Sequence, residues 1–549
     1  MSLKMDKDVI NVRENFMRDD LKPMPTTGAS MGKSEVLLLL TALLCGATVM
    51  VVEILGSRVI GPFFGASLYV WTSLITVTLV ALAAGYWGGG ILSDRSLNSI
   101  DWLYALIGVA GVFIMLVPLI KMPVIKMVLP VGLRMGSLLS AGLLFGPPLL
   151  LLGMVSPLIV RIAVRETSSV GRTVGLFSSI STIGSFIGTL CTGFVLIAYF
   201  NVDRIFIVLG GTLLALSVIY GAVFRRSWLL LPLLLLPFSI PESGALKSKL
   251  LSNGTRVTRT FFKDSFYGNM QVLEYSFGNR RTRELVVDAT VQGGIDMVSG
   301  GSVYEYPYFL QFIPRAINPQ GKECLVIGLG AGVIPMWYEK QGVRADVVDI
   351  DPEVFDVARR FFSFNISGKS IVEDARYFLN TPGKQYDYVI LDVFNGDNTP
   401  FHILSREALI TLKQRMTPGG VLGINVWGNL KSDTYMTASI VRTLKEVFST
   451  VDIYPGFDDA VSNGIGNLEI FAYSRPAVTI NAAQLAGYNV HPMAGNVRDL
   501  MLKKFEFPAG TPAMTLTDGY NPIDFYDVKT REINRKRIMD ATDLEFLMG

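Results

Sequence analysis

An α-helical multi-pass membrane domain followed by an α/β Rossmann-like domain, with a small β-rich subdomain between them, is the fold class predicted by three observations. Six long apolar runs fill the first part of the chain, a strand–glycine turn–helix pattern stands at 324–341, and acids recur at the ends of the strands that follow. The chain has 549 residues, half of them apolar and 17% charged, which argues against a single soluble domain. The expected divisions are an N-terminal tail over 1–34, a transmembrane domain over 35–240, a β-rich subdomain over 246–310 and the Rossmann-like domain over 311–549.

Apolar segments near 36–56, 69–92, 102–120, 137–160, 173–200 and 205–223 each reach the roughly 20 residues that a helix needs to cross the hydrocarbon core. A further run, "WLLLPLLLLPFSI" at 228–240, is shorter and carries Pro232 and Pro237, so it is expected to lie in or re-enter the bilayer. Lys4, Lys7, Arg13, Arg18, Lys22, Lys33, Arg95, Arg161, Arg165, Arg172, Arg225 and Arg226 fall on one side of such a bundle. Arg58, Lys121, Lys126, Arg134 and Arg204 fall on the other. The richer side is expected to be cytoplasmic. Six crossings then return the chain to the cytoplasm near 225, which places the C-terminal domain on the cytoplasmic face of an inner membrane; a short extra span near 122–133 is the alternative path.

Glu53 is an ionisable group within the first span, expected either to pair with Arg58 or to face a polar cavity. Pro147, Pro148 and Pro157 mark a kink in the fourth span. "GYWGGGILSDR" at 85–95 resembles the loop motif between early helices of major facilitator transporters. Nucleic-acid binding is excluded by a net charge of only +3 and by the lack of Lys/Arg runs interleaved with aromatics. Three scattered cysteines and two histidines, His402 and His491, make neither a disulfide framework nor a metal signature.

In "CLVIGLGAGVIPMWYEKQG", a buried-strand run leads into Gly328, Gly330 and Gly332, after which the pattern becomes helical. Glycines there let the backbone approach a ligand, and the helix N-terminus offers free N–H groups. The next strand, "ADVVDID", places Asp349 about 20 residues downstream, where a carboxylate accepts from both ribose hydroxyls. NAD and an S-adenosyl ligand fit equally to this point. The rest of the sheet separates them: "SIVEDARYFL" ends a third strand at Asp374, followed by Ala375, and "YDYVILDVFNGDNTPFHILS" ends a fourth at Asp392. Asp374 is placed to accept from an adenine amino group. Helix N-capping is the alternative role for Asp349 and Asp374.

With these motifs in place, residues 255–475 resemble the spermidine synthase family, the polyamine aminopropyltransferases, within the S-adenosylmethionine methyltransferase-type folds. "DSFYGNMQVLE" (264–274) resembles the family's β-rich N-terminal region, "LVVDATVQ" (285–292) its ligand-contacting stretch ending in Gln292, and "VYEYPYF" (303–309) its acceptor-site region, keeping Glu305. "LDVFNG" (391–396) resembles the catalytic loop, with Asp392 at its first acid. The membrane part, with "LTDGYNPID" (516–524), resembles multi-pass members with a fused transporter-like domain. Three positions depart from the family pattern. Ala331 stands where an aspartate holds the donor's amine, Asn395 replaces the second acid of the loop, and Tyr304 replaces a histidine.

The resemblance implies aminopropyl transfer from decarboxylated S-adenosylmethionine to a polyamine such as putrescine, releasing methylthioadenosine, without a metal. It implies Asp392 as the catalytic residue, Gln292, Gly328, Gly330, Gly332, Asp349, Asp374 and Ala375 as the donor-binding set, and Tyr304, Glu305 and Asn395 at the acceptor. An amine with a pKa near that of lysine must first lose a proton, at a cost of roughly 4–5 kcal/mol at pH 7; Asp392 is expected to orient it and help take that proton. His402 is either a second base or packs beneath the loop. Two other functions stay open: an S-adenosylmethionine-dependent methyltransferase with a lipid or membrane-delivered acceptor, which Ala331 favours, and a transporter with a nucleotide-sensing domain. The expected partners are a small amine and the lipid bilayer, with a homodimer left open.

Overall fold

The computed structural model describes residues 33–65, 68–95, 99–164, 170–224, 235, 247–393, 401–458, 462–526, 528–541 and 546. The tail expected over 1–34 lies outside them except for its last two residues. The segment 228–240, apart from Leu235, lies outside them too.

Among the described residues six helices are long and apolar enough to cross a membrane. They are α1 (Lys33–Phe64), α2 (Leu68–Arg95), α3 (Ser99–Val128), α4 (Leu133–Ala163), α5 (Val170–Cys191) and α6 (Val202–Phe224), with α5 carried on by a π turn to Tyr199. Apolar side chains give no net attraction between helices in lipid, so close approach comes from small residues. A Cβ on Gly184 would stand 2.0 Å from the Leu43 carbonyl oxygen, and one on Gly85 would stand 2.3 Å from that of Leu150. The "GYWGGGILSDR" stretch is therefore helical, and its glycines seat α2 against α4 rather than forming a loop. The alternative span near 122–133 is the continuation of α3 and the start of α4. Glu53 bonds the Thr78 hydroxyl of α2, and α4 runs from Leu133 to Ala163 through its three prolines.

A five-stranded antiparallel meander follows: β1 (Ser248–Leu250), β2 (Arg256–Asp264), β3 (Asn269–Phe277), β4 (Arg280–Val287) and β5 (Thr290–Asp296). Asp288 and Ala289, both with positive φ, make the two-residue turn between its last strands. After α7 (Tyr306–Ile317) comes a seven-stranded sheet of β6 (Glu323–Ile327), β7 (Arg344–Asp349), β8 (Ser370–Val372), β9 (Tyr386–Leu391), β10 (Met416–Asn429), β11 (Thr450–Pro455) and β12 (Ile465–Tyr473). The order is β11-β12-β10-β9-β6-β7-β8. All neighbours are parallel except β12, which is antiparallel to both of its own. The chain winds outward from β6 to β8 and then returns to β9 on the other side of β6, so the reversal lies between β6 and β9.

The two parts share one buried apolar cluster in which bundle residues such as Ile60 and Phe63 join Val257, Leu273, Val286 and Phe546. Polar contacts fix the junction. The Arg58 guanidinium donates to the Phe266 carbonyl, the Val202 N–H donates to Asp264 at 2.9 Å, and the Leu133 N–H donates to Glu532 at 3.0 Å. Arg535, on the helix Val528–Ala541, reaches the Pro62 carbonyl at 2.6 Å. Every bundle residue in these contacts is at the α1/α2, α3/α4 or α5/α6 end. Lys33 and Phe224 are at the opposite end, since α6 alone rises about 34 Å over its length. The C-terminal domain therefore docks at the end of the bundle opposite to Lys33 and Phe224. An even count of helices returns Phe224 to the starting end, but the domain docks on the other one.

Candidate active site

The reversal between β6 and β9 opens a crevice at the strands' C-terminal ends, the place where open α/β sheets bind ligands. Gly328 follows β6 and opens the turn into α8 (Val333–Lys340), and Asp392 follows β9. A Cβ on Gly328 (φ +90°) would stand 2.1 Å from the Asp392 carbonyl oxygen, and one on Gly330 (φ +52°) would stand 2.6 Å from that of Gln292. The turn is glycine-rich because backbone from β5 and β9 occupies the space that side chains would need. Ala331 is buried and packs against Gly293 of β5.

Asp349, at the end of β7, accepts from the Leu329 and Asp351 N–H groups, each at 2.9 Å. It braces the glycine turn and is not a helix cap; Asp351 caps α9 (Pro352–Phe362). Burial pushes the Asp349 carboxyl up to about 6. Asp374 does cap a helix, α10 (Ala375–Asn380), accepting from the Tyr377 N–H at 2.9 Å. Its other oxygen lies 3.8 Å from Nε2 of His402. That half-exposed histidine is directed at Asp374; the loop over 394–400 lies outside the described residues. Ser265, in the turn before β3, donates to Asp351 at 2.6 Å, and Tyr267 lies close enough to Asp349, Asp351 and Asp374 to feel their charge.

Asp392 is the centre of the arrangement. It accepts from Nδ2 of Asn425 at 2.9 Å and from the Tyr306 hydroxyl. Burial pushes its carboxyl up to about 6, and these two bonds hold it from going higher. Tyr304 sits elsewhere: its hydroxyl donates at 2.6 Å to Glu284 of β4, which burial raises. The aromatic hydroxyl beside Asp392 is therefore that of Tyr306, two residues on. Glu305 is partly buried, with its carboxyl raised by that burial. Gln292 lies on β5, and its carbonyl faces the Tyr306 hydroxyl at 3.4 Å. Asn395 lies outside the described residues.

The motifs did not mark Tyr306, Asn425 and a further acid, Glu469 of β12. The available signal was one polar residue within each apolar strand, "GVLGINVW" and "GNLEIFAY". At the far end of the chain, Asp518 of "LTDGYNPID" grips Arg376 at 2.6 Å and the Ser405 hydroxyl that caps α11 (Arg406–Gln414). Arg376 stands next to Ala375, so this clamp fixes the helix that Asp374 begins.

A mixed seven-stranded sheet of this order, with a glycine turn and acids at its strand tips, defines an S-adenosylmethionine methyltransferase-type domain. Within it, residues 305–456 match the spermine/spermidine synthase domain, and the C-terminal part carries that domain. An N-terminal histidine N-methyltransferase of Emericella nidulans is 36% identical over 168 residues, which cover 29% of this chain and 29% of that protein. A polyamine aminopropyltransferase of Vibrio vulnificus is 33% identical over 152 residues, 26% of this chain and 51% of that one. The chain thus spans between about a third and a half of these relatives. A probable spermidine synthase from Corynebacterium glutamicum aligns with 18% identity and a TM-score of 0.38, covering 47% of this chain and 95% of its own.

Proposed function

We propose that the C-terminal domain is a transferase that moves the aminopropyl group of decarboxylated S-adenosylmethionine to a polyamine such as putrescine. The placement of Asp392 carries this reading: its main chain abuts the glycine turn, and its buried carboxylate is oriented by Asn425 and Tyr306. The donor's ribose is held by Asp349 and its adenine by the second oxygen of Asp374. The acceptor nitrogen attacks the methylene carbon beside the sulfonium. The carbon–sulfur bond breaks with its electrons passing to sulfur, leaving neutral methylthioadenosine, and the proton lost from nitrogen goes to Asp392. In-line positioning of the two reactants supplies much of the acceleration.

A methyl transfer from S-adenosylmethionine is the second reading, favoured by Ala331, which leaves the turn without the acid that would repel the donor's carboxylate. The two are separated by their products. Full-length protein incubated with both donors and putrescine is expected to yield methylthioadenosine; S-adenosylhomocysteine alone would establish the second reading, and neither product would refute both.

We further propose that the protein is membrane-embedded and that its transferase domain and its Lys/Arg-rich face stand on opposite sides of the bilayer. Support comes from the docking of the domain at the α1/α2 end. A cytoplasmic cationic face then puts the domain outside. In a Cys191→Ser background, Asn253→Cys is expected to react with an impermeant maleimide on intact cells, and Asp94→Cys only after permeabilisation. Labelling of both from one side would refute the opposite placement.

A further inference from the structure

The row of residues that begins at Asp392 continues across the sheet. Asn425 of β10 bonds Asp392, Glu469 of β12 pairs with Asn425, and Tyr454 of β11 pairs with Glu469. Residues opposed in a ladder point to the same face, and Trp427, two along from Asn425, shares it. This is the face covered by α7, whose Phe309 ring lies 6.5 Å from that of Tyr454. The same helix begins at Tyr306, next to Glu305.

Glu469 is fully buried, and among the described residues neither of its carboxylate oxygens has a hydrogen-bond partner. Asn425 Oδ1, Trp427 Nε1 and Tyr454 Oη, on the same face, are likewise without partners there. Native interiors pair nearly all such atoms, so a cluster of orphans calls for a cause. Burial pushes the Glu469 carboxyl well above the usual range, and among the described residues the charged groups that add to this are Asp392 and Glu305, both acids. Like charges with no cation among them are costly in a protein on its own and favourable once a cation enters. The space for the carboxylate is kept by Gly456, where a Cβ would stand 2.8 and 2.9 Å from the two Glu469 oxygens.

We propose that Glu469 binds the distal ammonium of a diamine or longer polyamine whose other amine reacts at Asp392. This rests on the aminopropyl-transfer reading and names the acceptor class for it. β10 lies between β9 and β12, so the two acids are roughly 9–10 Å apart at their backbones. The Glu469 carboxylate lies on the β11 side of its strand, beside Gly456, so the interval to Asp392 is one for a chain of several methylenes carrying an ammonium at each end. Glu469 thereby supplies an acid that the catalytic loop lacks at Asn395, from a strand far along the sequence, and selects amines with a second positive charge over monoamines.

The test uses the full chain in detergent, with 1,4-diaminobutane and 1-aminobutane as acceptors and methylthioadenosine formation as the readout. Glu469→Gln is expected to raise KM for the diamine by about 10- to 150-fold, the loss of a hydrogen bond to a charged group. The KM for the monoamine and the affinity for methylthioadenosine are expected to stay within about twofold. Gly456→Ala, which crowds the same oxygens, should reproduce the diamine effect and serves if the first variant does not fold. An unchanged diamine KM, or equal effects on both amines, in a wild type that does form methylthioadenosine overturns the Glu469 assignment alone. A wild type that forms none with either amine overturns the aminopropyl-transfer reading, and this assignment with it.

Discussion

Asp392→Asn is expected to lower kcat by a factor on the order of 10²–10⁴ while leaving affinity for methylthioadenosine nearly unchanged. The amide keeps the shape and one acceptor oxygen, so the bonds from Asn425 and Tyr306 lose one partner at most. What disappears is the negative charge that orients the ammonium and takes its proton. The contrast is Asp349→Ala, expected to weaken methylthioadenosine binding by about 1.5–3 kcal/mol through loss of a hydrogen bond to a charged group. Calorimetry with the product and steady-state rates at saturating donor check both. If Asp392→Asn retained most of its rate, the catalytic assignment would fall.

The pH dependence has a definite sign. Asp392 accepts a proton only as the carboxylate, and its carboxyl is pushed up to about 6 by burial. At saturating donor, kcat should therefore fall with an acid limb near pH 6, a limb absent from Asp392→Asn. The same shift, with that of Asp349, acts on folding in the opposite direction. A carboxyl whose folded pKa exceeds its unfolded value of about 3.9 contributes stability below that value and loses it as pH rises through about 6. With respect to these two acids, ligand-free protein is expected to melt higher at pH 5 than at pH 7.5.

Gly328→Ala should destabilise the C-terminal domain by roughly 2–6 kcal/mol and abolish donor binding. Two effects add. A methyl at this position would stand 2.1 Å from the Asp392 carbonyl oxygen, which is held by the β6–β9 pairing, and φ is +90°. Gly342→Ala is the control, since φ is +73° there but nothing lies within 4 Å of the added methyl. Thermal melts of the full chain should show a shift for Gly342→Ala much smaller than for Gly328→Ala. Equal shifts would mean that backbone strain alone explains the glycine at 328.

Signals carried by neighbours in the chain were legible in the sequence. Hydrophobic runs of helix length marked the six helices that, among the described residues, are long and apolar enough to cross a membrane, and the glycine turn with Asp349 marked the first βαβ unit. Asp392 was marked by its position at a strand end. Less legible was which residue serves which neighbour. "VYEYPYF" offers three tyrosines, and the sequence reading put Tyr304 at the acceptor, whereas the turn into α7 sends Tyr304 to Glu284 and Tyr306 to Asp392. Asp374 was read as a ligand contact or a cap, and the structure shows the cap, made through one carboxylate oxygen.

Sequence alone therefore determined the two-part architecture, the six long apolar helices and the nucleotide-type turn, because apolar length and glycine spacing act within a few residues of themselves. Tertiary structure decided the rest. Glu469 shares a row with Asp392 only because β12 inserts beside β10, which aligns residues 77 positions apart across the sheet. The end of the bundle that receives the C-terminal domain was likewise decided by packing. Charge counting weighs each loop separately, whereas docking depends on which loops present apolar surface and free N–H groups to β2, β3 and the helix Val528–Ala541. Such complementarity is a property of two surfaces together, and no single stretch of chain carries it.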